Sequence, residues 1–135
     1  MFLDASAIVA MLTEETDGKR LAELMATAPV RFTSGIAIFE SVAAVARILS
    51  YSMDEARAIV AEFLEISSVQ VVPIGQDETE EALLAFERFG KGRHPASLNM
   101  GDCFAYGCAK SARQPLLFKG DDFNRTDIQN ASITH

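Results

Sequence analysis

Four short apolar runs, at residues 2–4, 30–33, 69–74 and 115–119, are separated by stretches with the length and spacing of helices. That alternation leaves few folds, because parallel strands need long crossover connections and helices supply them. The expected architecture is an α/β domain: a three-layer α/β/α arrangement around a mostly parallel sheet of four to five strands. Strand ends and helix N-termini then meet along one edge, where open sheets of this kind bind their ligands. With 135 residues and no linker, repeat or low-complexity tract, the chain reads as a single domain spanning 1–135.

Helices are expected at 5–12, from a cap at Thr16 or Asp17 to Ala26, at 35–49 after a Ser34 cap, from Ser52 to just before Ser67, at 77–89, and onward from Asn99. Their inward residues read as Leu21, Leu24 and Met25 on the second helix and Ala37 and residues 42–46 on a substantially buried third. On the fourth they read as Met53, Ala56, Ile59, Val60, Phe63 and Leu64, and on the fifth as Ala82, Leu83, Leu84 and Phe86. Pro73 confines the third strand to a sheet edge or a strand end. Residues 128–133 offer a last short edge strand. The second and fourth helices also carry apolar surface suited to a protein partner.

No basic leader precedes the first strand, and no apolar run approaches the ~20 residues of a membrane span, so a cytoplasmic protein without membrane contact is expected. Cys103 and Cys108 fall about 140° apart around one helix, which fits two buried thiols and neither a disulfide nor a shared metal. A net charge of −7 excludes a generic basic nucleic-acid coat. It leaves room for an enzyme that holds a divalent cation on carboxylates and meets phosphate through that ion.

The acids carry the functional argument. Asp4 ends the first strand, Glu40 lies in the second turn of an apolar helix, and Asp102 is the third residue of the helix capped by Asn99. Asp121 and Asp122 follow the fourth strand. Any one of them has an ordinary structural explanation: Asp102 as a cap carboxylate, Glu40 as an ion-pair partner of Arg47. Together they fall at one sheet edge, where like charges raise one another's pKa until a hard cation with oxygen ligands relieves them. Mg²⁺, or Mn²⁺, is the implied cofactor. Zinc chemistry and a nucleophilic triad have little support, since the histidines are His94 in a loop and His135 at the terminus. Carboxylates and Mg²⁺ together activate water and offset charge at phosphorus.

At these residues the chain resembles the PIN-domain ribonucleases, and within them the VapC-type toxins of bacterial toxin–antitoxin pairs. The likeness runs through Asp4-Ala5-Ser6, Phe39-Glu40-Ser41, Gly90 to Pro95, Leu98 to Cys103, Leu117 to Phe123 and Thr126-Asp127-Ile128. It implies a Mg²⁺-dependent endoribonuclease that cuts a structured RNA of the translation apparatus, often transfer RNA. It also implies a homodimer and a cognate VapB-type antitoxin whose C-terminal segment enters the active site. Carried over by position, Asp4 and Asp102 are the principal metal ligands, Glu40 a further ligand or water-positioning acid, and Asp122, or else its neighbour Asp121, the fourth acid. Phe118 and Gly120 stand where one common family pattern has a Thr and an Asp or Asn, so the adjacent aspartates compete for that role; Asp122 directly precedes Phe123, and Asp121 suits a cap. Ser6 resembles a hydroxyl that supports a ligating carboxylate, with Asn99 supporting Asp102. Lys91, Arg93, Lys119 and Arg125 are the expected grip on RNA, whereas Lys110 and Arg113 read as helix-end or solvated cations.

Two other classes compete. In a phosphatase-like or phosphoacceptor domain Asp4 would be phosphorylated, but Ser6 stands where a second acid is usual. A non-catalytic PIN-like binding module would be expected to have lost acids, and none is missing.

Overall fold

In the computed structural model, which describes residues 1–131, the chain forms four strands, β1 (Phe2–Leu3), β2 (Arg31–Ser34), β3 (Val69–Val72) and β4 (Leu116–Leu117). Six α-helices accompany them: α1 (Ala5–Leu12), α2 (Gly18–Ala26), α3 (Gly35–Leu49), α4 (Met53–Ile66), α5 (Gln76–Phe89) and α6 (Met100–Ala112). A single turn of 3₁₀-helix covers Asp122–Arg125. The sheet is parallel throughout, in the order β3-β2-β1-β4. Pro73 directly follows β3, which is an edge strand.

Each strand sends alternate residues to opposite faces, and the two faces bury different cores. Phe2, Phe32 and Leu116 pack with Ala82, Ala85 and Phe89 of α5 and with Cys103, Tyr106 and Ala109 of α6. Leu3, Val69 and Leu117 pack on the other side with Ile8 of α1, Leu21 and Met25 of α2, Val45 of α3 and Val60 of α4. The result is three layers, α/β/α. Gly107 lets α6 lie close to α5, since a Cβ there would meet the Glu78 carbonyl oxygen at 2.5 Å. Among the described residues no helix is long and apolar enough to cross a membrane.

Three of the expected caps form as side-chain hydrogen bonds, whereas Asp17 stands at the N-cap of α2 without one. Ser34 accepts from the Ala37 N–H, Ser52 and Glu55 form a reciprocal capping box, and so do Asn99 and Asp102. Cys103 and Cys108 are free and buried, and burial, with the charge of Asp102 behind it, pushes the Cys103 thiol up to about 11. That thiol stays protonated near neutral pH.

Several expected faces differ. On α5 the inward residues are Ala82, Ala85 and Phe89, while Leu83 (59% exposed), Leu84 and Phe86 point outward. Small Ala side chains suit the close approach of α6 and leave the larger apolar residues on a second, solvent-facing stripe. Helix α3 is buried along one face only: Ala43 is exposed and Phe39 is 74% exposed. Met53 on α4 is exposed too, whereas Leu21 and Met25 of α2 are spent on the core, so α2 offers less partner surface than its sequence suggests. In place of a fifth strand, the segment from Ile128 makes a single parallel bridge, Leu116 to Asn130. Residues 132 and 133 lie outside the described residues, as does His135.

Candidate active site

The chain runs β1, β2, β3 in one direction and then places β4 on the other side of β1, so the order reverses beside β1. A crevice opens at such a switch point, at the strand C-termini. Asp4 stands there. It caps α1, its Oδ2 accepting from the Ser6 N–H at 3.1 Å and from the Ser6 hydroxyl at 2.5 Å. The same hydroxyl accepts from the Lys119 N–H at 3.0 Å, tying the segment after β4 to the end of β1. Asp4 is 5% exposed, and burial raises its pKa against the opposing pull of those Ser6 bonds.

Asp102 arrives from the other side, in the first turn of α6. Its Oδ2 accepts from the Asn99 N–H at 3.1 Å while its own N–H donates to Asn99 Oδ1 at 2.9 Å, which fixes the carboxylate and leaves Oδ1 for a ligand. Burial, together with the charges of Asp4 and Asp122, raises its pKa to about 6 against the Asn99 hydrogen bond. Glu40 lies against Gly101, so closely that a Cβ on that glycine would collide with the carboxylate. Burial, then the charges of Asp4 and Asp102, raise Glu40 to about 7. Among the described residues it has no ion pair; the Arg47 bridge that would have explained it structurally does not form.

Acids from four parts of the chain therefore meet here: the charges of Asp4 and Asp102 act on Glu40, and those of Asp4 and Asp122 act on Asp102. Asp122 is the first residue of the 3₁₀ turn, and its charge reaches Asp102. Asp121 occupies the N-cap position of that turn, exposed, but its side chain makes no cap hydrogen bond. Among the described residues no three acidic, histidine or cysteine side chains form a ready-made metal cage. A cage is not needed for Mg²⁺, which takes one or two carboxylates and completes its shell with water and phosphate oxygens. Free carboxylate oxygens, mutual repulsion and inert thiols make a donor set that fits a hard divalent cation and not zinc. His94 does not contribute: its Nδ1 accepts from the Ala96 N–H at 3.0 Å and its ring meets Phe89 edge-on.

The expected basic residues are dispersed. Lys119 is beside Asp4 through Ser6, yet its ammonium is paired with Glu15. Arg125 shares the 3₁₀ turn with Asp122 and donates to the Pro95 carbonyl at 3.0 Å, joining that turn to the basic loop. Lys91 is exposed on that loop, and the Arg93 guanidinium lies 5.5 Å from the centre of the Phe86 ring on α5. Lys110 is exposed in the last turn of α6, as expected of a helix-end cation, and joins Arg88 on Asp127, at 3.2 and 3.4 Å, where the Tyr106 hydroxyl also donates at 2.5 Å. Asp127 pins the C-terminal segment onto α5 and α6, a role its sequence position gave no sign of. One further residue escaped the sequence, Gly101, whose missing Cβ seats Glu40; Arg47, considered only as an ion-pair partner, shares a cavity with Glu40 without pairing to it.

A parallel α/β/α sheet with clustered acids at its switch point defines a class, and the family model of the PIN domain matches residues 1–129. More narrowly, the chain belongs to the VapC ribonucleases of the PIN-domain family. It is 41% identical over 129 residues to Ribonuclease VapC of Mycolicibacterium smegmatis, covering 95% of this chain and 97% of the relative. It is 37% identical over 134 residues to Ribonuclease VapC30 of Mycobacterium tuberculosis, covering 98% and 99%. Among solved structures, VapC20 of Mycobacterium tuberculosis, a toxin that cleaves the sarcin-ricin loop, superposes with a TM-score of 0.72 at 17% identity, over 94% of this chain and 95% of that one. A toxin–antitoxin complex from Klebsiella pneumoniae gives 0.69 at 16% identity, over 98% and 95%. At such identities these two likenesses concern the fold alone.

Proposed function

We propose that this chain is a Mg²⁺-dependent endoribonuclease, the toxin of a type II toxin–antitoxin pair that inhibits translation by cutting a structured RNA, with transfer RNA as the first substrate to try. The observation that carries the reading is the convergence of Asp4, Glu40 and Asp102 at the sheet's C-terminal edge, where burial raises all three carboxyls and neighbouring acids raise Glu40 and Asp102 further. Asp4 and Asp102 would hold the cation, with Asp122 beside Asp102. The cation supplies charge neutralisation at phosphorus and a more acidic water. Ser6 keeps Asp4 Oδ2 occupied, and Asn99 does the same for Asp102 Oδ2, so the carboxylates present their Oδ1 atoms. Glu40, titrating near neutrality and with no hydrogen-bond partner among the described residues, is suited to orient the attacking water and take its proton.

A VapB-type antitoxin and a second copy of the chain are the expected partners. Exposed Phe39 and Met53 between α3 and α4, and Leu83, Phe86 and Met100 along α5 and α6, give apolar surface for such contacts.

The test is cleavage of total bacterial RNA by the purified chain, freed of partners, with Mg²⁺, with EDTA, and with Asp4→Asn alongside. Discrete cuts that vanish with EDTA and in Asp4→Asn support the reading, and sequencing the ends names the RNA. Intact RNA in every lane, while calorimetry records Mg²⁺ binding, would refute it. Phosphorylation of Asp4 would then be sought with a beryllofluoride mimic.

A further inference from the structure

Beside the acids lies a cavity of about 530 Å³, within the ~300–1,000 Å³ usual for ligand clefts. Ser6 and Glu40 line its acidic side; Glu15, Arg47, Ile48 and Lys119 line the rest. It contains two cations, and they are not equivalent. Lys119 is neutralised by Glu15, whose other oxygen is 3.4 Å from the Thr13 hydroxyl. Arg47 has no carboxylate partner among the described residues, although unpaired Glu40 shares its cavity.

Arg47 follows Glu40 by seven residues, two turns along one face of α3, a rise of about 10.5 Å. Side chains on a helix lean toward its N-terminus, so an extended Arg at this position points back along the face that carries Glu40. A guanidinium that lines a cleft and has no ion-pair partner among the described residues is placed for an anion brought from outside. Its planar fork of donors matches two oxygens of one phosphate.

We propose that Arg47 is a substrate-positioning residue that binds an RNA backbone phosphate next to the one being cut, and so sets the direction in which the strand crosses the acids. The inference rests on the ribonuclease reading above. Arg47 does not touch the reacting phosphorus; it fixes the strand one phosphodiester away, and the hydrophobic floor formed by Val9, Ala44 and Ile48 gives the intervening sugar an apolar surface. Lys119 joins it only where the Glu15 pair opens, so Arg47 is the dominant phosphate contact of this cleft.

The experiment compares Arg47→Gln and Arg47→Lys with the parent in steady-state cleavage of bulk transfer RNA. It also compares them in the Asp4→Asn background by fluorescence anisotropy with a labelled single-stranded oligoribonucleotide across a salt series. Arg47 is exposed, so melting temperatures should match the parent and exclude misfolding. Arg47→Gln should raise KM about tenfold with kcat changed less than about twofold, the loss of one charge-assisted contact. It should also lower the salt slope of RNA binding by about 0.7, one phosphate contact on a single strand. Arg47→Lys should keep the slope and recover part of the affinity. Unchanged KM and slope in an enzyme that still cuts would overturn the role of Arg47 while the nuclease reading stands. An inactive parent whose Asp4→Asn form binds no RNA would remove both. A fall in kcat alone would also overturn the proposal, because it would place Arg47 in the chemistry instead of on the flanking strand.

Discussion

The Glu40 carboxylate rests against the Cα of Gly101, so that the third helix delivers an acid onto the first turn of the sixth only because residue 101 lacks a side chain. Gly101 is the second residue of α6 and its backbone is ordinary helix, which any residue could adopt. Its requirement is space alone.

Gly101→Ala therefore separates helix stability from site geometry. Alanine favours the helix by about 1 kcal/mol over glycine, yet its Cβ evicts Glu40. Cleavage should fall at least about tenfold, with the melting temperature within a few degrees of the parent. Paired thermal melts and initial rates check this. Full activity would mean that Glu40 works equally well from another rotamer.

Ser6→Ala removes the hydroxyl that donates to Asp4 and accepts from the Lys119 N–H. Asp4 then keeps only backbone donors and can turn. Supporting hydrogen bonds of this sort are worth about 10- to 100-fold in metal affinity or activity, against about 1 kcal/mol of stability for the bond itself. Calorimetric titration with Mn²⁺ beside a cleavage assay should show both losses, and Ser6→Thr should restore most of each. Equal Mn²⁺ affinity in Ser6→Ala would show that Asp4 is held by its surroundings without the hydroxyl.

Much of this was legible in local chemistry. Asn99 with Asp102 and Ser52 with Glu55 carry their caps within three residues, and four apolar runs parted by helices leave a parallel sheet as the economical arrangement. What failed was the choice between two apolar stripes on one helix: Ala82, Ala85 and Phe89 face the core, while Leu83, Leu84 and Phe86 face out. Periodicity marks a stripe without saying what covers it, and the small residues win because α6 approaches closely at Gly107. The order of the acids along the chain suggested their convergence. The seat of Glu40 on Gly101 and the Asp127 hub depend on contacts between residues 17 to 61 positions apart, beyond any local pattern.

The adjacent aspartates after β4 can be told apart by substitution. Both are exposed; the charge of Asp122 raises the pKa of Asp102, whereas Asp121 makes no cap hydrogen bond. Asp122→Asn should lower cleavage at least about tenfold, as expected when an electrostatic contact at a reacting centre is lost. Asp121→Asn should stay within about twofold of the parent, in the range of surface substitutions. The reverse order in initial-rate assays would assign the fourth acid to Asp121.

Stability against pH tests the acid cluster without any RNA. Burial comes first among the causes that raise Asp4, Glu40 and Asp102, with Glu40 reaching about 7 and Asp102 about 6. Each folded pKa lies above its unfolded value, so the unfolded chain releases protons more readily, and stability falls as pH rises between the unfolded values near 4 and the folded values. Asp127, held low by Tyr106, Lys110 and Arg88 against its own burial, acts in the opposite sense, below that window. In EDTA the melting temperature should fall from about pH 5 to about pH 8. Glu40→Gln should flatten that fall, which distinguishes the cluster from the general repulsion of a chain with net charge −7. A divalent cation binds the ionised carboxylates of the native state, so Mn²⁺ should raise the melting temperature more at pH 8 than at pH 5. An unaltered slope in Glu40→Gln, or equal Mn²⁺ stabilisation at both pH values, would mean that the three carboxyls do not share a cation.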